Sequence, residues 1–561
     1  MFLTASLLLC PVLAFAQAPD VQPRDEAPVL DQRLRDEATQ QLQPSEEPPQ
    51  IEEAEAEEPP AQTGDARFFV RRIELDGNTV ITREEVQRLV APYENREVTL
   101  TELNLLAQAI EQHYRQRGFV TSRVIIPPQD LVNQTVALKV IEGQVGQLHV
   151  EGNRFFSTKQ IVAYSRLRQG EILRYSRLRA DLARMSQHPD RKVQTILRRG
   201  EAPETTDIVL HVKDRSPLHA GLSFDNKGSQ GAGRYRTGLS ARHANLSGHD
   251  DTLLAGAAFG RDFGAVYTQY RLPIPQTDTT LSAGVSHAQV SPKKGLKVFG
   301  VNGISQTYFG RIEQKLLERE RFDVDVQLGV DIKESRTKVR SGAFRRERLR
   351  VLRMGPTWRE RDRFGRTDWS HEFSLGINGL GAAIHEDPSS ARRGVKPYFL
   401  VYSAKLLRLQ QMPLGTHLQL RGEYQFASRK LPSSEGLYLG GATSVRGYPE
   451  GDYTADYGFL ANAEYVAPLR FLPKQWVVPL TNEPWRDRLE WAGFVDVGYG
   501  KLKGPSISET GKRHLIGIGA GVRVRLFEQL YARVDWAYAL GQDPLTEASH
   551  SRFHVTLQYE F

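Results

Sequence analysis

Side-chain chemistry needs particular residue types at particular spacings, and this chain has few candidates. His371-Glu372 and His385-Glu386 open like the first half of a zinc-hydrolase helix, in which a second histidine one turn later completes the ligand pair. Leu375 and Ser389 stand where that histidine belongs. Gly511-Lys512 lacks the spacing and the Ser/Thr of a phosphate-binding loop, and no Gly-x-Ser-x-Gly elbow occurs. Ser247-Gly248-His249-Asp250-Asp251 reads as a hairpin turn, although a serine hydrolase assembled from separate strands stays compatible with the sequence. The expectation is a protein that is not an enzyme and has no metal, cofactor or nucleotide site.

What remains is a cation on a glycine-rich loop. The stretch "GGATSVRGYPEG", Gly440 to Gly451, presents Arg446 between Val445 and Gly447-Tyr448. A guanidinium is a planar fork that grips a carboxylate with two bonds and stays charged at any relevant pH. Gly440, Gly441 and Gly447 let the backbone turn sharply and pass close to a wall. An exposed loop would suit a lone arginine equally well, so the elements around it decide its use.

From about residue 217 onward the chain reads as strands. In "LEWAGFVDVGYG", Leu489, Trp491, Val495, Val497 and Tyr499 share one face, and Glu490, Ala492, Phe494, Asp496, Gly498 and Gly500 the other. The segments "IGIGAGVRVRL" and "THLQLRGEYQF" repeat the division, with Arg523, Arg525, Arg421 and Glu423 on their polar sides. A soluble sandwich would bury the apolar face against a second sheet. Many segments of about ten residues with this alternation fit lipid outside and water inside, the pattern of a transmembrane barrel. The last segment, "RFHVTLQYEF", ends on Phe561.

Before the barrel lies a repeat. "RRIELDGNTVIT" and "GQLHVEGNRFFS" are both alternating strands that end in an acidic-Gly-Asn turn. Thr82-x-x-Glu85 and Thr99-x-x-Glu102 have capping-box spacing, and the second opens a helix with Leu103, Leu106, Ala107, Ile110 and Tyr114 on one stripe, stopping at Gly118. The order β-α-α-β-β fills 67–143 and recurs over 144–215, with the barrel over 216–561. Residues 44–66, rich in Pro and Glu, read as a linker, and 17–43 hold one candidate helix from Val29 to Leu42 carrying Leu30, Leu34 and Ala38.

"MFLTASLLLCPVLAFAQAPD" is an export signal with a small-x-small site at Ala14-Phe15-Ala16, so 1–16 would be removed. Cys10 is the one cysteine, which leaves the mature chain without disulfide or thiol chemistry. Residues 17–66 hold 14 acidic and 3 basic residues, net −11, so the remainder of the +7 chain carries +18. Nucleic acid is not the expected partner, because the chain is exported and its arginines are scattered among strands without aromatic interleaving.

The tandem repeats resemble polypeptide-transport-associated (POTRA) domains. Together with the barrel, the candidate first hairpin "FDNKGSQGAGRYRTGLS", "SVRGY" at Ser444 to Tyr448 and "FVDVG" at Phe494 to Gly498, they resemble the two-partner secretion transporters of the haemolysin-activator and filamentous-haemagglutinin type. The resemblance spans nearly the whole mature chain. It implies a mainly β protein: a barrel of about sixteen strands in the outer membrane of a Gram-negative bacterium, two POTRA domains in the periplasm, and an N-terminal plug helix. It also implies a monomer that exports one large exoprotein without ATP, with membrane lipid and the barrel-assembly machinery as its other partners. Phe561 would be the assembly signal. The motif Val445, Arg446, Gly447 and Tyr448 would fold into the barrel, and Arg446 would meet Asp496 of the wall motif Phe494, Asp496 and Gly498. Asp496 lies on the polar face of its strand, as that pairing requires. The alternative is a barrel-assembly insertase of the same superfamily, which usually carries more POTRA repeats.

Overall fold

The computed structural model describes residues 27–28, 30–33, 35, 51–53, 66–229, 231–292, 301–319, 321–338, 340, 344–386, 394–479, 482–506, 509–527 and 529–561. The expected signal peptide, most of the linker, and Val29, Leu34 and 36–42 of the expected N-terminal helix lie outside the described residues.

Both capping boxes form. Thr82 caps α2 (Arg83–Val90) and Thr99 caps α3 (Leu100–Gln116), each threonine accepting from the backbone of the glutamate that bonds back to it. Gly118, with φ 88°, turns the chain out of α3. The stripe Leu103, Leu106, Ala107, Ile110 and Tyr114 is buried against a sheet of order β3-β6-β5, made by β3 (Arg72–Asp76), β5 (Arg123–Ile125) and β6 (Thr135–Ile141). A short pair, β2 (Arg67–Val70) and β4 (Arg96–Thr99), flanks it.

The second unit follows the same plan, with β7 (Gln144–Glu151), α4 (Thr158–Val162), α5 (Tyr175–Ser186), β8 (Arg191–Arg199) and β9 (Thr205–Asp214). Its sheet has a fourth member. β1 (Ile51–Glu53) lies parallel to β8, with Ile51 opposite Thr195 and Glu53 opposite Leu197. Three residues of the expected linker thus satisfy their backbone on an open sheet edge, a gain that does not depend on side-chain hydrophobicity.

From Leu218 to Glu560 the strands pair antiparallel and in sequence, and the last (Ser551–Glu560) pairs with the first (Leu218–Asp225) to close the barrel. Gly365–Gly376 and Ala383–Glu386 are two pieces of one strand, since both lie against Phe344–Asp362, which gives a wall of sixteen strands. Trp491, Val495, Ile518 and Phe426 are exposed on the outside, whereas Phe494, Asp496, Arg523 and Gln425 are buried inside. Phe561 ends the chain at the seam, where its N–H donates to Ala220 O at 2.8 Å.

The described residues of the N-terminal helix, α1 (27–28, 30–33 and 35), sit within the barrel. Ala27 is buried among Ala258, Phe263, Ala288 and Val290, and the Asp31 carboxylate accepts from Thr307 at 2.7 Å. The apolar positions Leu30 and Leu34 suggested its helicity; its polar residues Asp31 and Arg33 make the bonds that hold it.

Candidate functional site

The chain between the strands His417–Ala427 and Tyr457–Pro468 turns back into the barrel instead of staying outside. An apolar cluster of Leu437, Leu439, Val445, Tyr448, Tyr453, Leu460 and Leu515 packs it against the inner wall. Tyr448 is fully buried. Gly447 has φ 93°, and a Cβ there would stand 2.8 Å from the backbone N of Ala539 on the wall. A side chain at this position would be strained by the backbone and blocked by the neighbouring strand.

That approach brings Arg446 onto Asp496. Nε donates to Oδ2 at 2.7 Å and Nη2 to Oδ1 at 2.8 Å, the parallel two-bond geometry, and the Arg446 backbone N–H adds a third bond at 3.0 Å. Asp496 is fully buried and Arg446 nearly so. Asn462 bridges the partners, donating to Asp496 Oδ1 at 2.8 Å and to the loop carbonyl of Ser444 at 2.7 Å. The ring of Phe494 lies under the guanidinium, its centroid 3.3 Å away. Gly498 clears room for the loop, since a Cβ there would meet Val445 Cγ2 at 2.8 Å. All seven motif residues therefore meet at one place on the inner wall.

The site is larger than that motif. Arg446 Nη1 also donates to Glu464 Oε2 at 2.5 Å and lies 3.3 Å from Asp535 Oδ2. Arg523 and Arg533 each pair with both of those carboxylates. Three arginines thus face three carboxylates within ion-pair distance, and Arg421 lines the same cavity. Sequence reasoning missed Glu464, Asp535 and Arg533. Glu464 lies on one strand and Arg533 and Asp535 on another, and no local spacing ties them to each other or to the loop. His371 and His385, the metal candidates, are on the outward face; His371 Nδ1 lies 2.7 Å from Tyr402 Oη among Trp358 and Trp369.

Comparison with known proteins agrees with this architecture. The profile of the haemolysin secretion/activation proteins ShlB/FhaC/HecB matches residues 204–524, more than half of the chain. The chain belongs to that family. A ShlB-type POTRA domain matches 68–143. The heme/hemopexin transporter protein HuxB of Haemophilus influenzae (strain 86-028NP) is 23% identical over 483 residues, 79% of this chain and 78% of HuxB. The outer membrane transporter CdiB of Dickeya dadantii is 23% identical over 398 residues, 69% and 70% of the two chains. The structure of CdiB from Escherichia coli superimposes with a TM-score of 0.68 at 18% identity, covering 95% of this chain and 98% of that one, a likeness of fold. The protein is accordingly a two-partner secretion transporter of the outer membrane, with its POTRA domains in the periplasm.

Proposed function

We propose that this chain exports one unfolded exoprotein through its barrel, and that the loop bearing Arg446 is bolted to the wall in the resting state. The observation that carries the reading is the buried two-bond contact of Arg446 with Asp496 inside a group of six ion-paired charges. Buried charges that pair with one another hold a geometry firmly, and removing one partner leaves the others uncompensated. The bolt therefore acts as a fixed point from which the loop keeps its shape while client passes.

The client would enter as an extended strand on an open sheet edge of a POTRA domain, held by main-chain hydrogen bonds. No catalytic step and no cofactor belong to this reading, and the drive is the client folding outside. The working unit is one copy of the chain, and Phe561 is the residue read by the barrel-assembly machinery.

The test is reconstitution. Purified chain is placed in lipid vesicles with POTRA domains outward, and an unfolded client is added without nucleotide. Client that becomes protected from added protease supports export, and Arg446→Ala is expected to lower that protection at least about tenfold. Insertion of added barrel precursors, with no protected client, would overturn it in favour of an insertase.

A further inference from the structure

The outer wall carries a second charge arrangement, unrelated to the lumen. Along the strand Phe322–Lys338 the outward positions are Val324, Val326, Leu328, Val330 and Ile332, followed by Glu334, Arg336 and Lys338. Along Phe344–Asp362 they are Arg346, Arg348 and Arg350, followed by Leu352 and Met354. Ile332 stands opposite Arg350, Glu334 opposite Arg348, and Arg336 opposite Arg346, which also faces His385 on the next strand. Charge begins where the exposed apolar band of Leu328, Val330, Ile332 and Met354 stops, at the end of the barrel away from the POTRA domains. That level is the outer leaflet.

Inside the same strands, each arginine has a carboxylate. Arg345 holds Glu347 at 2.6 Å, and Arg353 holds Asp331, Glu372 and Glu435. Outside, Glu334 is the acidic residue among these outward positions, and it lies 3.5 Å from Arg350. Among the described residues, Arg346 and Arg348 have no carboxylate in ion-pair distance, and Arg348 Nε is buried with no hydrogen-bond partner. Two neighbouring guanidiniums with no carboxylate in reach among the described residues leave positive charge on this face that an anion would neutralise. Donors at the edge of an apolar wall meet such an anion in a lipid headgroup.

We infer that Arg346 and Arg348, with Arg350 beside them, form a docking site for the phosphate groups of outer-leaflet glycolipid, with the acyl chains against Leu328, Val330 and Met354. The inference rests on the outer-membrane location of the barrel. Arginine suits it because its fork takes two phosphate oxygens at once, and its stem covers apolar surface below the charge.

Native mass spectrometry of the full chain in detergent tests the site, with bisphosphorylated lipid A and its dephosphorylated form as probes. The phosphorylated form is expected to bind at least about tenfold tighter. Arg346→Gln with Arg348→Gln should abolish that preference while heat-modifiable migration still reports a folded barrel. Lys501→Gln with Lys512→Gln, another opposed outward pair, should leave it intact. Equal binding of the two lipids, a preference that survives the arginine changes, or equal loss in the lysine control would each overturn the site. Reduced client export with the lipid preference unchanged would assign the patch to an acidic protein and overturn it too.

Discussion

At Arg446 the charge and the shape of the site can be tested separately. Arg446→Ala leaves Asp496, Glu464 and Asp535 short of one cation, a loss typically of about 3 to 5 kcal/mol for a buried partner. The strands do not depend on this side chain, so the expected outcome is a loop released from an intact barrel, read as new protease cleavage between Gly440 and Gly451 with unchanged heat-modifiable migration. Gly517→Ala should give the same cleavage with every charge in place, because its Cβ would stand 2.0 Å from the Arg446 carbonyl oxygen. Gly310, with nothing within 4 Å of its Cβ position, is the matched control, and Gly310→Ala should cleave like the parent. The exchange Arg446→Asp with Asp496→Arg is not expected to restore the loop, since the new aspartate would face Glu464 and Asp535. The pairing with Asp496 was legible from strand parity and a family resemblance. The wider group of six was not, because its members come from the loop and from four neighbouring strands whose register no local spacing reveals.

Two elements join the barrel to what lies beneath and within it. The second POTRA unit is clamped to the periplasmic turns. Arg191 Nη1 and Nη2 donate to Asp250 at 3.0 and 2.8 Å, stacked over Phe156 and Tyr164, and Arg184 reaches Glu318 at 2.7 Å. His188 completes the clamp, with Nε2 2.7 Å from Ala244 O and Nδ1 accepting from the Asp190 N–H at 3.1 Å, an arrangement for neutral imidazole. Burial pushes its pKa down, against the opposing pull of Asp250 and Asp190 and with help from Arg191. The docked state therefore binds fewer protons than an undocked one. The clamp is at full strength above the ordinary histidine pKa of about 6.5 and weakens as pH falls below it. Spin-label distances between this unit and the barrel should be single-valued at pH 7.5 and broaden at pH 5, a broadening that His188→Asn should remove. Within the barrel, α1 is held by Arg33, whose Nη1 lies 2.8 Å from Glu450 on the inward-folded loop, and by the close fit of Ala27. Ala27→Phe should expel α1, raising single-channel conductance severalfold with barrel level unchanged. Capping boxes and the α3 stripe were readable because they are local. β1 was hidden in a Pro/Glu-rich stretch, since backbone pairing to a distant edge leaves no trace in side-chain periodicity.

Over the whole molecule, the alternation of apolar and polar residues specified the barrel, because each strand needs lipid on one side and water on the other. Strand count and closure are not local properties, and the sixteen strands followed from the family resemblance. The bolt, the plug and the clamp are linked through the loop and the wall: Glu450 touches the plug, Arg446 the wall, and the wall's turns the POTRA unit. Releasing the bolt should therefore disable export before it disables assembly. The most direct measurement is export of the cognate exoprotein by cells carrying Arg446→Ala, Gly517→Ala or Gly310→Ala, at barrel levels matched by heat-modifiable migration. The account predicts that the first two abolish export, one by charge and the other by shape, while Gly310→Ala exports normally. Normal export by both Arg446→Ala and Gly517→Ala would contradict it.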